Sequence, residues 1–297
     1  MNALYAAIGI SKQAVHRYAA RERQLEEKLR VLIAEAELLR AEHPGCGLEK
    51  MYYTLRPDFI GRDRFIDFFM ALGFRVKQRK NRRRTTYSTS VDYPNLIKGM
   101  QLNGPNVVWQ SDITYIAVGK AFYYAVFIVD VYTKEIVGYS LSTHLRATAN
   151  LRALKNAFGQ YGAPQIHHSD RGRQYIYHEY IALLESHSVA ISMAMTAQEN
   201  AYAERIHRTI KEEYLSHWHI QTFSGLRRAV KKAVRHYNTQ RLHNHLGRKT
   251  PAAYRQHILA LPEPARPTMT IYPESGSTVA SISPHDTHGR GAQSRTR

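Results

Sequence analysis

The stretch from residue 107 to residue 193 limits the possible folds more than any other. Residues 107–116, 121–132 and 135–140 are rich in Val, Ile, Phe and Tyr and read as strands. The turns between them, at Val118-Gly119-Lys120 and Thr133-Lys134, are short, so the three strands form an antiparallel meander. The periodicity then changes. Residues 150–161 set Leu151, Leu154, Ala157 and Phe158 on one helical face. Residues 165–169 read as a strand, 177–187 as a helix, 189–193 as a strand, and a last helix runs to about Trp218. A meander followed by helix, strand, helix, strand and helix is an α/β layout. The right-handed crossover rule puts the fourth strand beside the first, at the centre of a five-stranded mixed sheet with flanking helices. We assign this unit to residues 104–260.

An all-α, helix-turn-helix-like region, residues 1–74, precedes it. Ser11 suits the N-cap of a first helix, from which Lys12, His16 and Arg17 face outward. Residues 22–41 form a second helix with Leu25, Leu29, Leu32, Ile33, Ala36 and Leu39 on one face, ended by Pro44, Gly45 and Gly47. Residues 48–55 and 62–72 form two more, with Gly73 after the last. In a helix-turn-helix, Arg62 and Arg64 would meet DNA; a plain helical bundle accounts for the pattern nearly as well.

Residues 75–84 contain seven basic side chains and no acid, among them Lys77, Arg79, Lys80, Arg82, Arg83 and Arg84. Such density resists compact folding, so residues 75–103 read as a basic linker able to follow phosphates. The formal net charge of +18 points the same way, toward a polyanionic partner. One cysteine, Cys46, excludes an internal disulfide. No run is long enough for a membrane span, and the N-terminus lacks a signal-peptide plan. Residues 261–297 turn to Pro, Ser, Thr and Gly, a composition expected to be mostly disordered.

Three acids carry the chemistry. Asp112 lies in the first strand, Asp170 at the end of the fourth, and Glu204 on the helix after the fifth. The topology puts the two aspartates on neighbouring strands and lets the helix bring Glu204 across to them. Mg²⁺ prefers such hard oxygen ligands, and two ions held this way activate an attacking oxygen and stabilise the leaving one in a phosphodiester. Asp112 would bridge the ions. Arg208 and Lys211 follow Glu204 at i+4 and i+7, along the path of a phosphate backbone; a surface Glu204–Arg208 pair is the plainer reading of that spacing. Asp130 reads as a turn cap, His168 as a strand residue, Asn200 as the N-cap of the Glu204 helix, and Gly172 as a special backbone angle presenting Asp170.

Four segments together carry a resemblance: Trp109-Gln110-Ser111-Asp112-Ile113-Thr114-Tyr115, His168-Ser169-Asp170-Arg171-Gly172-Arg173-Gln174-Tyr175, Asn200-Ala201-Tyr202-Ala203-Glu204-Arg205 and Thr209-Ile210-Lys211-Glu212-Glu213-Tyr214. With Tyr237-Asn238-Thr239-Gln240-Arg241-Leu242-His243 and Thr250-Pro251-Ala252, the sequence resembles bacterial insertion-sequence transposases with a retroviral-integrase-like, RNase H-fold core and an Asp-Asp-Glu triad. The resemblance implies Asp112, Asp170 and Glu204 as catalytic and metal-holding residues and Mg²⁺ (or Mn²⁺) as cofactor. It implies cleavage and strand transfer at the element's terminal inverted repeats, in the copy-out, paste-in subgroup. It further implies a homo-oligomer assembled on double-stranded DNA in the bacterial cytoplasm, at the nucleoid. One departure stands out. That family commonly has 35 residues between its second Asp and its Glu; here there are 33. This raises Glu199 and Glu212 as rival third acids, although the local sequence matches at Glu204. Two other functions remain open on the sequence: an RNase H-like nuclease that cuts without joining, and an inactive DNA-binding repressor.

Overall fold

A computed structural model describes residues 11–76 and 93–272. Lys77, Arg79, Lys80, Arg82, Arg83 and Arg84, and everything beyond Tyr272, lie outside the described residues. The helical region contains α1 (Lys12–Glu42), α2 (Leu48–Leu55) and α3 (Arg62–Ala71). The Ser11 hydroxyl caps α1 by accepting from the Ala14 N–H at 3.1 Å. The two helices expected before Pro44 are one. From Lys12 to Glu42 there is no Gly or Pro, and Ala, Leu, Glu, Arg and Lys dominate, so nothing interrupts the ladder. Only its C-terminal half is a packing face: Leu32 and Ala36 join Cys46, Met51, Phe65 and Phe69 in a small core, while Leu25 stays exposed.

A short β1 (Gln101–Leu102) leads into β2 (Val108–Val118), β3 (Ala121–Asp130) and β4 (Ile136–Ser142), the expected meander. Then come α4 (Ala147–Tyr161), β5 (Ile166–Ser169), α5 (His178–Ser186), β6 (Ala190–Met193) and α6 (Ala201–Thr209). The sheet order is β4-β3-β2-β5-β6, with β2 central and β5 parallel to it. Both faces are covered, which explains why β3 is a nearly unbroken apolar run. Ala125, Phe127 and Val129 point to the face under α6, whereas Val126 and Ile128 point to the face under α4 and α5.

Beyond α6 the helix expected to reach Trp218 changes pitch. Residues Ile210–Tyr214 form a π turn and Leu215–His217 a 3-10 turn, before α7 (Phe223–Thr239) and α8 (Pro251–Leu259). The π turn faces the helical region. There the Gly45 N–H donates to the Glu213 carbonyl at 2.8 Å. The packing also extends past both ends of the assigned core. β1 pairs antiparallel with β7 (Met269–Thr270), and Ile97, Leu102, Ile258 and Ile271 are fully buried in one cluster. Part of the stretch read as linker and the first residues of the stretch read as a disordered tail are therefore packed structure. Apolar residues at 97, 102, 269 and 271 bury each other across a sequence gap that hides the pairing. Among the described residues, no helix is long and apolar enough to cross a membrane.

Candidate active site

β2 and β5 run in parallel, and their last paired residues are Ser111 and Ser169. Asp112 and Asp170 are the next residues, so adjacent strands deliver two carboxylates to the same end of the sheet, about 5 Å apart in backbone spacing. Each is oriented by a neighbouring N–H. Asp112 Oδ1 accepts from Ile113 at 2.8 Å, and Asp170 Oδ1 accepts from Gly172 at 3.1 Å. Gly172 does not have a positive φ; what its lack of a side chain supplies is space. A Cβ there would stand 2.9 Å from Asp170 Oδ1. Asp130 is the turn cap it was read to be. Its Oδ1 accepts from the Thr133 N–H and hydroxyl, and its Oδ2 from the Asn106 N–H.

Three consecutive residues of β2 are fastened to the Glu204 helix. The fully buried Gln110 donates to the Glu199 carbonyl (3.3 Å) and accepts from the Tyr202 N–H (3.2 Å). The Ser111 carbonyl accepts from Asn200 Nδ2 at 3.0 Å, and the Asp112 carbonyl lies 3.2 Å from His207 Nε2. Asn200, expected to cap α6, thus spends its amide on the strand instead. This lattice ties the start of the Glu204 helix, and the turn before it, to the strand of Asp112. The rival acids are placed otherwise. Glu199 Oε2 accepts from the Met195 and Thr196 N–H groups in a capping box. Glu212 is exposed on the π turn.

The electrostatics mark Asp112. Burial, the charge of Asp170 and the charge of Glu204 push its carboxyl up to about 8, against the Ile113 N–H and Lys211. Burial also raises Asp170, with the Gly172 N–H opposing. His207 is driven by burial and by Lys211 down to about 3. A carbonyl can only accept, so His207 Nε2 carries the hydrogen and Nδ1 offers a lone pair 3.3 Å from Asp112 Oδ2. Glu204 is half exposed and pairs with Arg208 at 2.9 Å, and no three acidic, His or Cys side chains among the described residues surround a common point. Asp112 and Asp170 therefore form a close pair, with Glu204 facing them but turned toward Arg208. Lys211 leaves the Arg208 face and is partly buried, with its charge acting on Asp112. Arg62 and Arg64 are exposed on α3, Arg62 paired with Asp63 at 2.8 Å.

Two integrase core domain models match the chain, at residues 103–198 and 188–251. The insertion element IS600 uncharacterized 31 kDa protein of Shigella sonnei is 31% identical over 84% of this chain and 96% of its own length. The transposase for insertion sequence element IS904 of Lactococcus lactis is 29% identical over 63% of this chain and 75% of its own. Transposase InsF for insertion sequence IS3A of Escherichia coli is 29% identical over 53% and 57%. The chain belongs to the integrase-core family of insertion-element transposases. Among solved structures, the catalytic core domain of HTLV-2 integrase aligns with 54% of the transposase and 99% of its own chain, at 21% identity and a TM-score of 0.44.

Sequence reasoning passed over three residues of this transposase that touch the candidate site. Gln110 lies within a segment that carried the resemblance, two positions before Asp112, and His207 lies between two such segments. Tyr272 lies in none of them and reaches the site only through the fold.

Proposed function

We propose that Asp112, Asp170 and Glu204 together hold divalent metal, two Mg²⁺ or Mn²⁺ ions per site, and that the transposase cuts the terminal inverted repeats of its element and joins them to target DNA. The observation that carries this reading is the pair of aspartates on adjacent parallel strands, Asp112 within β2 and Asp170 just past the end of β5, with Asp112 raised to about 8 by burial and by two nearby acids. Such a cluster of hard oxygen donors, two of them raised by burial despite the charge of Lys211 on Asp112, suits a divalent ion. Asp112 and Asp170 present their oxygens without rearrangement, and Glu204 joins them by releasing Arg208. The ions would supply activation of the attacking oxygen and stabilisation of the leaving one. Arg208, once freed, and Lys211 lie beside the path of the DNA strand. Arg62, Arg64 and the basic residues at 77, 79, 80 and 82–84 grip DNA outside the site. Two ends must be joined together, so the working form is a homo-oligomer on DNA in the bacterial cytoplasm and nucleoid.

The test is a strand-transfer assay on labelled element-end DNA with Mg²⁺. Joined products are expected, and Asp112→Ala should lose cleavage and joining while retaining end binding. Cleavage without joined products would instead identify a nuclease. Activity that survives Asp112→Ala would sink the site assignment.

A further inference from the structure

The helix that carries Glu204 lacks a cap of its own. Its N-cap residue, Asn200, makes no side-chain bond to the first turn. The open N–H groups are met from elsewhere. Gln110 Oε1 accepts from the Tyr202 N–H at 3.2 Å, and the hydroxyl of Tyr272 accepts from the Ala201 N–H at 3.1 Å. The same hydroxyl accepts from Gln110 Nε2 at 3.0 Å. One phenol oxygen thus ties the strand of Asp112, two residues before that aspartate, to the helix of Glu204, one turn before that glutamate.

We propose that Tyr272 is a positioning residue for the Glu204 helix, delivered from the C-terminal strand. The inference rests on the reading of Glu204 as the third metal-holding acid. The surroundings are built for delivery. Ile271 is fully buried; its N–H donates to the Met100 carbonyl and its carbonyl accepts from the Gly99 N–H, both at 2.9 Å. The Tyr132 hydroxyl donates to the Pro267 carbonyl at 2.6 Å. Lys134 Nζ sits 3.5 Å from Met269 Sδ and 4.1 Å from the centroid of the Tyr202 ring, which meets the Tyr272 ring at 5.7 Å. The backbone of Tyr272 holds φ 46°, a left-handed angle that a bulky side chain rarely adopts. That strain persists because the Ile271 backbone bonds before it and the two hydrogen bonds of its own hydroxyl hold the residue in place.

Tyr272→Phe removes only the hydroxyl and keeps the ring and the strand pairing. Hydrogen exchange at the Ala201 and Tyr202 amides should accelerate about three- to tenfold, the range for one lost hydrogen bond, with the sheet amides unchanged. Strand transfer should slow by a similar factor, the Mg²⁺ concentration for half-maximal rate should rise, and end binding should hold. Truncation after Thr270 should reproduce the exchange change, and truncation after Tyr272 should leave exchange at wild type. Unchanged exchange at Ala201 in Tyr272→Phe overturns the proposal, and so does acceleration spread evenly over the sheet, which marks a merely structural role. If exchange changes as expected but rate and Mg²⁺ requirement do not, the contact is real and positions nothing, which also overturns it. A wild-type chain that neither cuts nor joins DNA refutes the proposed function instead, and the exchange experiment still decides the contact.

Discussion

Asp112 is kept in the folded chain against its chemistry. Its carboxyl titrates near 8 in the metal-free protein, far above the unfolded value of about 4. Between those values the folded chain holds a proton that the unfolded chain has lost. The stability contributed by that proton is full below about pH 4 and is lost as pH rises to about 8. Asp112→Asn should therefore make the metal-free protein more stable at pH 8, by an amount on the order of 5 kcal/mol, and the gain should shrink toward pH 5. Denaturant titrations at the two pH values measure this. Mg²⁺ should raise the melting temperature of the wild type but not of the variant. Binding of metal must release the proton, so the Mg²⁺ needed for half-maximal strand transfer should rise as pH is lowered from 8.5 to 6.5. A flat Mg²⁺ requirement across that range would contradict the role given to Asp112. The positions of Asp112 and Asp170 on neighbouring strands were readable from the chain. The partnership of Asp112 with His207 was not, because a helix residue 95 positions away meets it only in space.

At the scale of elements, the helical run that begins as α6 does two jobs with two pitches. Its α-helical part faces the sheet, and its π turn sends Glu213 into a charged cluster. Arg241 grips Glu213 with Nε at 2.7 Å and Nη2 at 2.6 Å, His43 Nε2 donates to it at 2.7 Å, and Lys50 stands 3.5 Å away. Burial alone would raise this carboxyl, but the bonds from Arg241 and His43 and the charges of Arg241 and Lys50 hold it well below the usual carboxylate range. Removing one partner strands the other in a dry site. Glu213→Ala or Arg241→Ala should each cost about 3–5 kcal/mol, read from urea unfolding midpoints. The sign with pH is opposite to that of Asp112: the contribution of Glu213 is present above about pH 4.3, its unfolded value, and is lost in acid. The element types followed from periodicity. The change of pitch did not, since residues 210–217 keep helical spacing in the sequence and only the approach of the helical region draws Glu213 out of it.

For the whole molecule, Gly45 is a backbone-to-backbone approach between the helical region and the catalytic core. A Cβ there would stand 2.4 Å from the Glu213 Cα. Gly45→Ala should separate the two units at about 1–3 kcal/mol, seen as faster proteolysis of the helical region while core amides remain protected. DNA affinity belongs to this scale as well. Replacing the six basic residues from Lys77 to Arg84 by Gln should reduce the slope of log K against log salt by about 5, measured by fluorescence anisotropy on element-end DNA. An unchanged slope would place the DNA grip elsewhere. The sequence by itself determined the sheet, its helices and the strand positions of Asp112 and Asp170, because alternation, helical spacing and short turns are local and constrain the backbone directly. The tertiary structure alone decided how Glu204 is held, why Gly45 must be a glycine, and that residues near 101 and 270 close the core. Those outcomes depend on groups far apart in the chain meeting at hydrogen-bond or van der Waals distance, and no spacing along the sequence records such meetings.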